Sequence, residues 1–126
     1  MVLVDTSVWI DYFHNGINST HLDSLIDSGK ICVNDLILTE LVPSIRHRKE
    51  TELEHLLLQV PKEAMNIDWS QLISMQTENL KHGVNRVGIP DLMIVQNAEQ
   101  NDMELYSLDK HFKLMSQFRP LKIFEG

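Results

Sequence analysis

The sequence predicts an α/β domain built on a mainly parallel sheet, and three observations carry that expectation. Short β-branched runs alternate with longer stretches of helical periodicity, as parallel strands joined by crossover helices require. The 126 residues match the usual size of one domain, so a single domain over 1–126 is expected. Hydrophobic and charged fractions of 43% and 23% are ordinary for a globular chain and exclude disordered and fibrous classes.

Val2-Leu3-Val4 reads as the first strand, ending at Asp5. A short helix through Val8, Trp9, Tyr12 and Phe13 follows, then a loop at His14-Asn15-Gly16 and a second helix from about Thr20 to Ser28, stopped by Gly29. Lys30 to Val33 forms strand two. Asn34 or Asp35 then caps a helix through Leu36, Ile37, Leu38, Leu41, Val42 and Ile45, which Pro43 bends. Thr51 and Glu54 have capping-box spacing and open a helix that ends before Pro61. Strand three lies within Glu63 to Ile67. An amphipathic helix covers Trp69, Leu72, Ile73, Met75, Gln76 and Leu80 and stops at Gly83. Pro90 suits the first turn of the next helix, after a loop over Val84 to Ile89. Glu104 to Ser107 is strand four, Lys110 to Ser116 a short helix, and Leu121 to Phe124 the last strand.

Apolar runs such as Leu92-Met93-Ile94-Val95 fall far short of the roughly 20 residues a membrane helix needs. Met1 to Val4 meets Asp5 too early for a signal peptide, so no membrane partner and a cytoplasmic location are expected. The single Cys32, between Ile31 and Val33, reads as a buried strand residue. A formal charge of −7 argues against a broad basic grip on nucleic acid, since phosphate contacts come from Lys and Arg. Bound cations held by clustered acids would fill that role.

Four acids stand out by position. Asp5 ends an apolar strand, where ligands of open α/β sheets bind, and it reads equally as a helix cap. Glu40 lies at the edge of its helix's apolar face, following Leu36 by four residues and Ile37 by three; alone it reads as a half-solvated charge. Asp91 shares the stripe of Ile94, Val95 and Ala98, and a carboxylate there needs a cation or hydrogen-bond donors, although capping would also satisfy it. Asp109 follows strand four, and its alternative is again a cap. If strands one and four are neighbours, Asp5 and Asp109 face one crevice. Four carboxylates gathered there require cations, and such oxygen donors favour Mg²⁺ or Mn²⁺.

Other signals are weaker. The six histidines lack zinc spacing, Gly83 and Gly88 build no phosphate loop, and neither Ser7 nor Ser44 has an elbow motif or a His partner. Arg46-His47-Arg48-Lys49 reads as a solvated face, with a local phosphate patch as the alternative.

These residues resemble a family. Asp5-Thr6-Ser7-Val8-Trp9-Ile10-Asp11-Tyr12-Phe13 is similar to the opening motif of PIN-domain ribonucleases, specifically the VapC toxins of type II toxin–antitoxin pairs. Thr39-Glu40, Ile89-Pro90-Asp91-Leu92-Met93-Ile94 and Ser107-Leu108-Asp109-Lys110-His111-Phe112 resemble the second, third and fourth acidic motifs, so the resemblance covers essentially the whole chain. It implies a three-layer sandwich with a five-stranded parallel sheet in the order 3-2-1-4-5. It also implies an endoribonuclease in which one or two Mg²⁺ or Mn²⁺ ions activate water and stabilise the leaving 3′-oxygen, giving 5′-phosphate and 3′-hydroxyl ends. Asp5, Asp91 and Asp109 would be ligands, Glu40 a ligand or a supporting partner, and Ser7 a positioning hydroxyl, with Thr6 a secondary helper. Where many relatives carry a further acid, this chain has His111, which bears on the second metal position. The resemblance further implies an RNA substrate, a homodimer and a VapB-like antitoxin laid in a groove. Trp9, Tyr12 and Phe13 are candidates for that groove or for the core.

Two other classes compete. A catalytically silent PIN-like module that binds RNA or protein would be indifferent to loss of Asp5. Phosphate-handling α/β domains need an Asp-x-Asp or a receiver's acceptor Asp with a late Lys, and Asp5-Thr6-Ser7 supplies neither.

Overall fold

The chain, described from Met1 to Gly126 by a computed structural model, opens with a fully buried strand, β1 (Val2–Val4). Helix α1 (Thr6–His14) is locked to it by Trp9, which is wholly buried and donates its indole N–H to the Val4 carbonyl at 3.2 Å. Tyr12 donates its hydroxyl to Asp23 of α2 (Leu22–Asp27) at 2.5 Å, and Gly29 ends that helix at φ +66°, a conformation side chains resist. Strand β2 (Ile31–Cys32) holds the buried thiol, whose desolvation pushes its pKa up to about 11. Asn34 then caps α3 (Asp35–His47), its Oδ1 accepting from Ile37 N at 2.9 Å, and the helix runs through Pro43 without interruption.

Helix α4 (Thr51–Leu58) departs from the predicted capping box. Its cap is Glu50, and Glu54 is drawn instead to the Arg46 guanidinium of α3 at 2.9 Å. Helix α5 (Trp69–Lys81) is capped by Asp68, and α6 (Ile89–Gln100) starts with Gly88 as cap and Pro90 in its first turn. Strand β3 (Glu104–Tyr106), helix α7 (Lys110–Met115) and strand β4 (Lys122–Ile123) complete the chain.

All strand pairs are parallel, in the order β2-β1-β3-β4. The expected order is therefore correct for all four strands present, but the sheet has four strands, not five. The predicted third strand survives as a single parallel bridge between Val33 and Lys62, on the outer side of β2 where it was expected. Pro61 has no N–H to extend the ladder, and the groups beyond Glu63 are claimed by α6 instead. Asn97 donates to Ala64 O at 2.9 Å, Gln100 to Asn66 O at 2.8 Å, and Gln96 both donates to and accepts from the Asp68 backbone. Side-chain amides thus satisfy backbone that a strand would otherwise pair.

The core gathers Leu3, Leu105, Trp9, Phe112, Ile37, Leu92 and Ile94 on and around the sheet, which helices flank. Helix α5 buries Leu72 and Met75 but leaves Trp69, Ile73 and Leu80 outward, so its apolar residues form two faces rather than the single one that periodicity suggested.

Candidate active site

Asp5 lies at the carboxyl end of β1, and its backbone N–H donates to Tyr106 O at 2.9 Å, tying it to the end of β3. β1 is flanked by β2 on one side and β3 on the other, so this edge is the topological switch point where open sheets bind ligands. Asp5 occupies the cap position of α1 but makes no side-chain cap bond, which removes capping as its explanation. Its Oδ2 accepts instead from Ser7 Oγ at 2.9 Å and Ser107 Oγ at 2.8 Å, while Oδ1 accepts nothing from the protein. Each serine oxygen is anchored in turn: Leu108 N donates to Ser7 Oγ and Asp109 N to Ser107 Oγ, both at 3.0 Å. A buried carboxylate is thereby held by one oxygen and left open at the other.

Asp109 caps α7 as its alternative reading requires, Oδ1 accepting from His111 N at 2.9 Å, and the imidazole Nδ1 stands 2.8 Å from the same oxygen. One Asp109 oxygen is committed to structure, and Oδ2 remains. Glu40 is exposed on α3 and accepts from Thr6 Oγ1 at 2.8 Å, so the secondary helper of the first motif is the residue that holds it. Asp91 stands in the first turn of α6 but is not its cap, which is Gly88. Burial pushes the Asp91 carboxyl up, and Asp109, Asp5 and Glu40 push it further, against a lowering hydrogen bond from the Gly88 backbone. The other three acids are therefore close enough to Asp91 to act on its charge.

Two of the predicted residues, Asp5 and Ser7, and the backbone of Asp109 are joined directly by hydrogen bonds through Ser107. Ser107 is a functional residue that sequence reasoning missed. Its signal was a hydroxyl at the end of the strand adjacent to Asp5, two residues before an acid. Asp91 and Glu40 join the set electrostatically, and no three His, Cys, Asp or Glu side chains close into a metal cage. The set is open, but its chemistry fits a hard divalent cation. Every donor is oxygen, and no Lys or Arg pairs with Asp5, Glu40, Asp91 or Asp109. Of the aromatic candidates, Trp9 belongs to the core, whereas Phe13 lines a shallow groove with Ile10, His14, Leu41 and Arg48 that reaches Glu40.

The PIN domain family model matches residues 2–117 of the chain. No curated protein matches it. Among solved structures it is similar to VapBC2 from Rickettsia felis, solved bound to a DNA fragment from their promoter (16% identity, 98% of both chains covered, TM-score 0.76). It is also similar to FitAcB from Neisseria gonorrhoeae (18% identity, 99% of this chain and 97% of the other, TM-score 0.73). A third likeness is DNA-bound VapBC from Salmonella typhimurium (15% identity, 98% and 96% covered, TM-score 0.73). These likenesses establish a common fold, and the family match over nearly the whole length, together with the strand order and the acids at its switch point, shows that the chain belongs to the PIN domain family.

Proposed function

We propose that this chain is a divalent-metal-dependent endoribonuclease, the toxin of a type II toxin–antitoxin pair. It acts in the cytoplasm and hydrolyses RNA phosphodiesters to 5′-phosphate and 3′-hydroxyl ends. The observation that carries this reading is Asp5, buried at the switch point, clamped through one oxygen by Ser7 and Ser107 and facing Asp91 among three further acids. Asp5, Asp91 and Asp109 would hold the ion, Mg²⁺ or Mn²⁺, with Glu40 as ligand or supporting partner. When bound, the ion supplies Lewis-acid stabilisation of charge developing on a phosphodiester and a cationic foothold for a protein of net charge −7. Ser7 and Ser107 fix the Asp5 carboxylate and Thr6 fixes Glu40.

Partners follow from two surfaces. The groove of Ile10, Phe13, His14 and Leu41 between α1 and α3, ending at Glu40, suits a helical segment of a VapB-like antitoxin that covers the acids. Trp69, Ile73 and Leu80 of α5 and Ile89 of α6 are each about half exposed or more and border an apolar cleft of about 380 Å³, which suits a homodimer. No helix is long and apolar enough to cross a membrane.

The test is cleavage of RNA by purified protein with Mg²⁺ or Mn²⁺. Cleavage should vanish in excess EDTA and in the Asp5→Ala/Asp91→Ala double variant; full cleavage under either condition would refute the reading. Sequencing the products checks for 5′-phosphate ends.

A further inference from the structure

Seven of the eleven Lys and Arg side chains lie within ion-pair distance of a carboxylate, leaving Lys30, Lys49, Arg86 and Lys110. Lys110 lines a cleft that also contains Ser107 and Asp109 of the candidate site. The cleft runs between the β3–α7 turn and the C-terminal tail and has a volume of about 210 Å³. Whole drug-sized ligands take about 300–1,000 Å³, so this space suits one ring system.

Its walls divide by chemistry. Phe124 supplies a flat apolar ring and Leu108 an exposed aliphatic edge, Lys110 and Lys113 supply cationic heads, and the carboxylates of Asp109 and Glu125 stand on the same lining. Phe124 is half-buried and its ring is held in place by Tyr106, at a centroid distance of 4.9 Å, and by His21 edge-on at 6.0 Å. The tail carrying it is tied to the sheet by Phe124 N donating to Leu105 O at 2.9 Å. Lys113 pairs with Glu125 at 3.2 Å, but both groups are largely exposed, so the pair opens at little cost. A fixed ring beside one unpaired ammonium group, Lys110, and one held only by an exposed pair, Lys113, is the pairing that single-stranded nucleic acid selects, by base stacking and phosphate contact.

We propose that this cleft is a subsite for one nucleotide of single-stranded RNA flanking the bond to be cut, its base against Phe124 and Leu108 and its phosphate on Lys110 and Lys113. The proposal rests on the ribonuclease reading and adds to it the strand's path away from the acids. It also explains how so acidic a chain retains its substrate: the cations matter where they stand, not by number.

The test uses the full-length protein and a short fluorescein-labelled single-stranded oligoribonucleotide of mixed sequence. Anisotropy in EDTA gives the affinity, and cleavage with Mg²⁺ gives kcat and KM. Lys110→Gln and Phe124→Leu, the latter preserving most of the packing volume, should each weaken binding and raise KM about ten-fold. Lys110→Gln should also lower the slope of log affinity against log salt by about 0.7. Lys30→Gln is the control, because Lys30 O accepts from Val2 N at the amino end of β1, opposite the acids. If wild type cleaves while both cleft variants keep wild-type affinity and KM, the subsite is wrong and the ribonuclease reading stands. If wild type neither binds nor cleaves RNA, the parent reading fails and the subsite falls with it.

Discussion

Asp91 is the acid whose charge the fold tolerates least, raised first by burial and then by the three other carboxylates. Its native pKa lies above the ordinary value, so between the two the folded state holds the extra proton and stability is lost as pH rises through that window. Above it the penalty is complete. Asp91→Asn should therefore raise the melting temperature of the metal-free protein at pH 7 by about 2–5 °C. The gain should shrink as pH falls through the raised pKa and vanish below the ordinary carboxylate range. Saturating Mg²⁺ should narrow the difference by stabilising wild type more than the variant. Thermal melts across pH, with and without metal, measure all three effects. At Asp5 one oxygen of a buried carboxylate has two hydroxyl donors, Ser7 and Ser107, where Asp91 has no side-chain donor.

At the level of elements, the segment from Lys62 to Asp68 is the place where helix side chains replace a strand. Asn97 is 2% exposed and serves both sides, donating to Ala64 O and accepting from Asn34 Nδ2 at 3.0 Å, while Asn34 caps α3. Asn97→Ala takes the partner from the buried Asn34 amide and from the Ala64 carbonyl. Urea unfolding should show a loss of about 1–3 kcal/mol, and hydrogen exchange should quicken around residues 62–67. Equilibrium stability equal to wild type would mean that water replaces the amide without cost. The amide positions Gln96, Asn97 and Gln100 stand in one helix, so the sequence carried this information, but nothing local says which backbone they serve.

For the whole molecule, the second apolar face of α5 bears on assembly. Trp69, Ile73 and Leu80 are 62%, 70% and 63% exposed, more than an isolated surface residue explains once they adjoin Ile89 in one patch. Light scattering should find a dimer for wild type and a monomer for Ile73→Lys, with an unchanged circular dichroism spectrum. A wild-type monomer at high micromolar concentration would remove this face from the account.

Order and type of the elements were legible in the amino-acid sequence because they rest on local causes: alternation of apolar runs, Gly29 and Gly83 as helix stops, Pro90 in a first turn. So was the placing of Asp5 and Asp109 at strand ends, since Asp5 follows β1 directly and Asp109 comes three residues after β3 ends. Tertiary structure alone decided what those acids do. Capping was an even alternative for both, and the distant Ser107 hydroxyl removed it for Asp5 while His111 N confirmed it for Asp109. It likewise decided the strand count, where amides from α6 outcompeted the ladder, and the direction of the α5 apolar residues. For Asp5, for the strand count and for α5 the deciding partner lies many residues away, and a periodicity or a cap motif records only near ones such as His111 beside Asp109.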